Sequence, residues 1–338
     1  MARHRVPAVV GVALVAGALV AGAAACSSPA PAARTDVPEP ASAPAPAAAP
    51  AGTVVSLGGD PEGVVADPAT GLVAIGVRSP DGVLVVDHEG RLVRRIGLSS
   101  APRHLEPGLT SGSVLAPVEG TDRLEVVDLR AGTVVSTTAV GRQPHDAAAA
   151  AGTLFAGNEL ADSLSVISGG SVTATLPMPR QPGGVATNGR TVAVVGVRGR
   201  RMAVVEAATA AAVGTVACGV GPTHVVAGPD GRYYVADTQG GRVLVYEDSP
   251  QLRQTGSAAA AGAPYGITVD PGRRHLWATL TARNQVVEYD ISGRLPRRLA
   301  TFATVRQPNS VAVDPTTGLV FVSGATAAGD LQILRPAR

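Results

Sequence analysis

Along most of the chain, apolar residues come in short runs that either alternate with polar positions or are apolar throughout. Each run stops at a cluster of Gly, Pro, Asp or Asn. The first such set is Gly63–Ala66, Leu72–Val77, Val83–Asp87 and Arg91–Gly97. The turns between these runs are Asp67-Pro68-Ala69-Thr70-Gly71, Ser79-Pro80-Asp81-Gly82 and His88-Glu89-Gly90. Alternation and short apolar runs are the marks of strands, and Pro, Asp and Gly supply the preset or positive φ that tight reversals need. The pattern predicts four strands in sequence, joined by tight turns, and no long helix beyond residue 25.

The set then repeats. A Pro, two variable residues and an apolar run recur at Pro61, Pro102, Pro144, Pro182, Pro222, Pro264 and Pro308, with spacings of 41, 42, 38, 40, 42 and 44 residues. Four short strands in a period near ~40–45 residues describe one propeller blade. Blade five is the clearest copy, with Gly231–Asp237 followed by Gly241–Tyr246. The seventh repeat lacks a fourth strand. Thr53–Gly58 is a surplus strand before the first repeat and reads like Gly132–Thr137, the fourth strand of blade two. The predicted fold is all-β, a seven-bladed β-propeller over residues 53–338, closed by an N-terminal strand that completes the last blade and removes an exposed edge.

Val235–Tyr246 and Gly157–Ser168 resemble the YVTN and NHL repeat families of bacterial surface and periplasmic propellers. The resemblance covers essentially all of 53–338. It implies the propeller fold and mostly binding or scaffolding roles, with some relatives that are lactonases or lyases. In the resembled lactonases, a carboxylate and amide side chains hold one cation at the channel mouth. No residue-by-residue match to that set exists in this sequence, and fold alone does not fix function.

The first 25 residues read as a signal peptide. Arg3, His4 and Arg5 precede an apolar run, Val6–Gly22, and then the small residues Ala23, Ala24 and Ala25. The junction Ala23-Ala24-Ala25-Cys26-Ser27 resembles a bacterial lipobox, with Ala23 where that family has Leu; the resemblance implies lipidation of Cys26, the alternatives being ordinary signal cleavage nearby or a retained anchor helix. Residues 26–52 are rich in Ala and Pro and predict a disordered tether, because such a composition buries no core. The expected location is extracytoplasmic, lipid-anchored to the cell membrane of a bacterium. The second cysteine, Cys218, lies in an apolar run and reads as a small buried hydrophobe.

Composition narrows the chemistry. All 28 basic residues are Arg, so no lysine amine is available for a Schiff base. The formal charge is +2 and Arg forms no long basic run with aromatics, which disfavours nucleic acid as a partner. No phosphate-binding glycine loop leading into a helix, Cys-x-x-Cys, His-Glu-x-x-His or Gly-x-Ser-x-Gly motif occurs.

In a propeller the first strand of each blade lines the axis. The second residue after each Pro then falls near one mouth of the channel: Gly63, His104, Asp146, Gly184, His224, Gly266 and Ser310. The loops joining second to third strands, among them Glu119–Arg123 and Asn158–Ser163, reach the same face. The candidate ligand-binding residues are His104, His145, Asp146, His224, Tyr265 and Asn309. His and carboxylate are ligands for a divalent cation, and His is a general base near neutral pH. Glu62, Glu106 and Asn158 are further candidates. A seven-fold mouth is expected to be wide for these groups to meet directly. Glu106 stands where six other blades carry small or apolar residues, so it either pairs with Arg103 or Arg142 or faces channel water. His88 and His275 fall on the opposite face with no evident partner.

The expected function is a membrane-tethered binding module on the mouth face for an envelope or surface protein, a glycan or a small ligand. The alternative is a metal-assisted lactonase or lyase at the same mouth.

Overall fold

The computed structural model describes residues 1–2 and 37–336. Cys26 and the apolar run before it lie outside the described residues. Among the described residues, no helix is long and apolar enough to cross a membrane.

Seven four-stranded antiparallel sheets form a ring of blades. The innermost strands are Pro61–Asp67, Glu106–Pro107, Pro144–Ala150, Pro182–Thr187, Pro222–Ala227, Pro264–Asp270 and Pro308–Val313. Each sheet then proceeds outward in chain order. In the seventh, Pro308–Val313, Val320–Gly324 and Asp330–Leu334 are followed by Thr53–Ser56, with Thr53 opposite Ile333 and Ser56 opposite Asp330. The inner strand of blade two is cut to two residues. Pro107 cannot donate to the ladder, and Pro102 keeps only an isolated bridge to Val118.

Burial follows from this layout. The second strands are covered on both faces and are mostly apolar, as at Leu72–Arg78 and Thr191–Gly196. The outermost strands alternate exposed and half-buried positions, as at Thr133–Ala139. The core is divided among the seven interfaces between neighbouring blades, each with its own apolar cluster. Val64, Ile75 and Leu84 of blade one meet Phe321, Leu331 and Ile333 of blade seven in one of them. A blade alone would leave both of its faces bare, so stability comes from completing the stack. Trp277 and Cys218 are both core residues, and burial raises the Cys218 thiol to about 12, which makes it inert.

Two repeated devices fix the mouth face. The first is a bulge just after the Pro. Pro144 pairs with Asn158 and Asp146 with Gly157, so the inner strand carries one extra residue there, and the inner strands of blades one, four, five, six and seven do the same. A bulge re-aims side chains, and here it lets neighbouring residues both face the axis. The second is an acceptor in the preceding blade. Asp122, Asp162 and Asn284, all with left-handed backbone, accept the N–H of Gln143, Gln181 and Gln307 at 2.7, 2.7 and 3.0 Å. Each of these glutamines precedes a repeat Pro and is itself left-handed.

Candidate functional site

The mouth is narrower than its seven-fold symmetry led us to expect, and glycine is the reason. A Cβ on Gly63 would sit 2.7 Å from the Leu105 nitrogen and 2.9 Å from the His104 Cα. One on Gly184 would sit 2.9 Å from the Thr223 oxygen and 3.0 Å from the His224 Cα. Glycine therefore lets each following inner strand, the ones carrying His104 and His224, close on its neighbour. The imidazoles then meet across the axis. Ring centroids of His104 and His224 are 4.3 Å apart, those of His104 and His145 5.0 Å, and those of His145 and His224 6.2 Å. One nitrogen from each ring lies within 4.8 Å of the other two. Half of the chain's six histidines thus share one spot.

The three rings are held differently. His145 Nδ1 lies 3.2 Å from Glu119 Oε1 and 3.3 Å from Glu159 Oε2. Burial disfavours charge on His145, but the two carboxylates outweigh it and push the imidazole up to about 9. Glu159 is itself buried, yet hydrogen bonds from His145 and Gln181 hold it down near about 2. Gln143 Nε2 donates to its second oxygen at 2.9 Å. His224 Nδ1 donates to the Tyr265 carbonyl at 3.0 Å, and its ring meets the Tyr265 ring edge-on at 4.4 Å. Burial and the charge on His145 pull His224 down to about 3, and the same effects hold His104 well below its usual range. The surroundings thus favour charge on His145 and disfavour it on His224 and His104. Arg103 stands at the edge of the cluster, 3.9 Å from Glu119.

The other candidates lie apart from this cluster. Asp146 is one residue from His145 but does structural work: its carboxylate accepts the N–H of Val185 at 2.7 Å, joining blades three and four. Ser310 joins blades seven and one in the same way, through Val64 N–H at 3.2 Å. Glu106 faces the channel and takes neither Arg103 nor Arg142 as partner; it shares the lumen with Asp146. Burial lifts both carboxyls, and the charge on Asp146 lifts Glu106 further. The lumen is a cavity of about 260 Å³ running from His104 and His224 past Glu106 to Pro68 and Pro315. Asn158 is bound to Ser163 and Ser165, Glu62 to Arg78, and Asn309 to Gln307. Neither Glu119 nor Glu159 stood out in the sequence. Their loops were expected on this face, but nothing in the chain marks which loop residue turns inward.

The mouth also carries a stretch of the chain's own Ala/Pro-rich segment. Gln307 Nε2 donates to Ala41 O at 2.8 Å, Ala43 N–H donates to Gln307 Oε1 at 2.8 Å, and Asn284 Nδ2 donates to Pro44 O at 2.9 Å. Glu39 reaches Arg103 at 3.8 Å. The segment therefore touches blade two at one point and blades six and seven at others. Ala43 is only 2% exposed.

The fold and this site define a seven-bladed β-propeller with a histidine-lined channel mouth. Solved structures share the fold. A chain of hydrazine synthase from Kuenenia stuttgartiensis aligns with TM-score 0.70 and 16% identity over 86% of this chain and 99% of its own. A chain of the mitotic checkpoint complex aligns with TM-score 0.72 and 12% identity over 87% and 97%. Streptogramin B lyase aligns with TM-score 0.69 and 11% identity over 83% and 97%. At these identities the likeness concerns architecture. No protein-family model and no curated protein matches the sequence.

Proposed function

We propose that this chain is an extracytoplasmic, membrane-tethered interaction module that binds an extended peptide segment of an envelope or surface protein across its channel mouth. The observation that carries the reading is the segment 39–44, seated on that face by backbone hydrogen bonds to Gln307 and Asn284 and by the Glu39–Arg103 pair. A face that holds one extended Ala/Pro-rich stretch through main-chain groups and one carboxylate can hold another of the same kind. Leu160 and Val220, both exposed, flank the mouth and offer apolar contact. The signal-like N-terminus and the lipobox-like Cys26 support placement at a membrane surface, with the partner in the same compartment.

The experiment uses the full chain carrying Ala43→Asp, which puts a carboxylate where a buried methyl now packs and so loosens the resident segment. A labelled peptide of sequence 37–44 is titrated into it. Saturable binding is expected, weakened at least about fivefold by a further Gln307→Ala, since that side chain makes two hydrogen bonds to the segment. Binding that is absent, or equal with and without Gln307, would overturn the reading.

A second reading has an observation of its own. Three imidazoles and two carboxylates at the end of a small lumen are the materials of a lyase or hydrolase site. Streptogramin B lyase shares the fold.

A further inference from the structure

We propose that His104, His145 and His224 form a binding site for one divalent transition-metal ion of the zinc class, coordinated by three imidazole nitrogens. The site goes beyond the peptide reading and rests on separate observations. The three rings come from three blades that are not all neighbours, so their convergence is a property of the closed ring. Their ligand nitrogens already lie within 4.8 Å of one another. A tetrahedral ion with nitrogens at ~2.0–2.1 Å needs them roughly 3.4 Å apart, a closure that small rotations of the rings supply.

Outer partners choose the ligand atoms. A metal-bound His is generally oriented by giving its other N–H to a carbonyl or a carboxylate. His224 gives Nδ1–H to the Tyr265 carbonyl, which leaves Nε2 free. His145 directs Nδ1 at Glu119 and Glu159, so Nε2 is the atom left for an ion, which displaces the proton there on binding. These partners come from two different elements around His145, and their negative charge offsets that of an ion. Among the described residues, no hydrogen bond from His104 accompanies its two ring contacts.

Imidazole ligation suits zinc, copper and nickel ions and disfavours calcium and magnesium, which prefer oxygen. Three protein ligands leave a fourth position open. That is the arrangement of zinc sites that keep a water or accept a ligand group. A carboxylate carried by a bound peptide is a group of that kind.

The test uses the full chain without a polyhistidine tag, stripped with chelator and equilibrated with zinc alone. Bound metal is measured by elemental analysis after gel filtration, and cobalt substitution reports the coordination geometry by its visible spectrum. One ion per chain is expected. His104→Ala and His224→Ala should each lower affinity by more than the ~10–100-fold expected for the outer-partner variant Glu159→Gln. His275→Ala on the opposite face should change nothing. Circular dichroism and the chelated protein's melting curve establish that each variant is folded. Folded wild-type protein that takes up no zinc would overturn the site, as would stoichiometric zinc undiminished in both His104→Ala and His224→Ala. Peptide binding measured on the chelated protein separates the two proposals, because it can persist when zinc binding fails and fail when zinc binding persists.

Discussion

The two faces of the ring use the same residue types to opposite ends. On the far face each histidine has a carboxylate of its own. His88 of blade one approaches Asp314 of blade seven at 2.9 Å, and His275 approaches Glu288 on the neighbouring strand of its own blade at 2.8 Å. These are stitches, one imidazole to one carboxylate, with the imidazole partly open to water. At the mouth three histidines share two carboxylates and one carbonyl, and imidazole packs on imidazole. Among the described residues only His145 of the three meets a carboxylate, so the packing of His104 and His224 adds no ion pair to the mouth. The difference teaches that one residue type serves pairwise contacts on the far face and a shared cluster at the mouth, the contrast on which the proposed binding role of the mouth rests.

The largest effect on that contrast should come from the glycines that let the mouth close. Gly184→Val drives a branched side chain into the backbone at Thr223 and His224. We expect a loss at or above the upper end of the ~1–3 kcal/mol typical of overpacking, read by urea denaturation, together with loss of any binding at the mouth. Gly97, where a Cβ meets nothing within 4 Å, is the matched control, and Gly97→Ala should lie within about 0.5 kcal/mol of wild type. Asp146→Ala comes next. It strands the buried N–H groups of Val185 and Ala147, at a cost of about 1–3 kcal/mol in the same measurement. It should leave zinc uptake intact, because Asp146 lies outside the imidazole cluster. The smallest effect belongs to the far face: His275→Ala breaks a pair whose histidine is partly exposed and should cost less than about 1 kcal/mol. A loss from His275→Ala as large as that from Gly184→Val would erase the distinction between the faces.

Much of this molecule was legible in the chain before any coordinates. The seven prolines, their spacing and four strand runs per repeat gave the ring, because a blade's turns and apolar runs are local features. The second position after each Pro placed His104, Asp146 and His224 at one mouth. What the sequence could not carry was radius. Whether rings from blades two, three and five touch depends on how closely strands from different blades approach, which the glycines at 63 and 184 and the bulges after the Pro in every blade but the second decide jointly. The bulge also explains why His145 joined the cluster while Asp146 beside it became an inter-blade acceptor. Glu119 sits on a single turn of 3-10 helix and Glu159 in a loop. Neither has periodicity to give its direction. His88 and His275 looked unpartnered because Asp314 is distant in sequence and Glu288 is brought alongside only by strand register.

The most direct measurement of the central claim, that the mouth is the binding face, is site-specific photo-crosslinking of the full chain in intact cells. A benzophenone amino acid replaces Leu160 on the mouth face in one strain and Glu89 on the far face in another. The account expects a discrete adduct from position 160, lost when Gln307→Ala is added, and none from position 89. Adducts from position 89 with none from position 160 would contradict it.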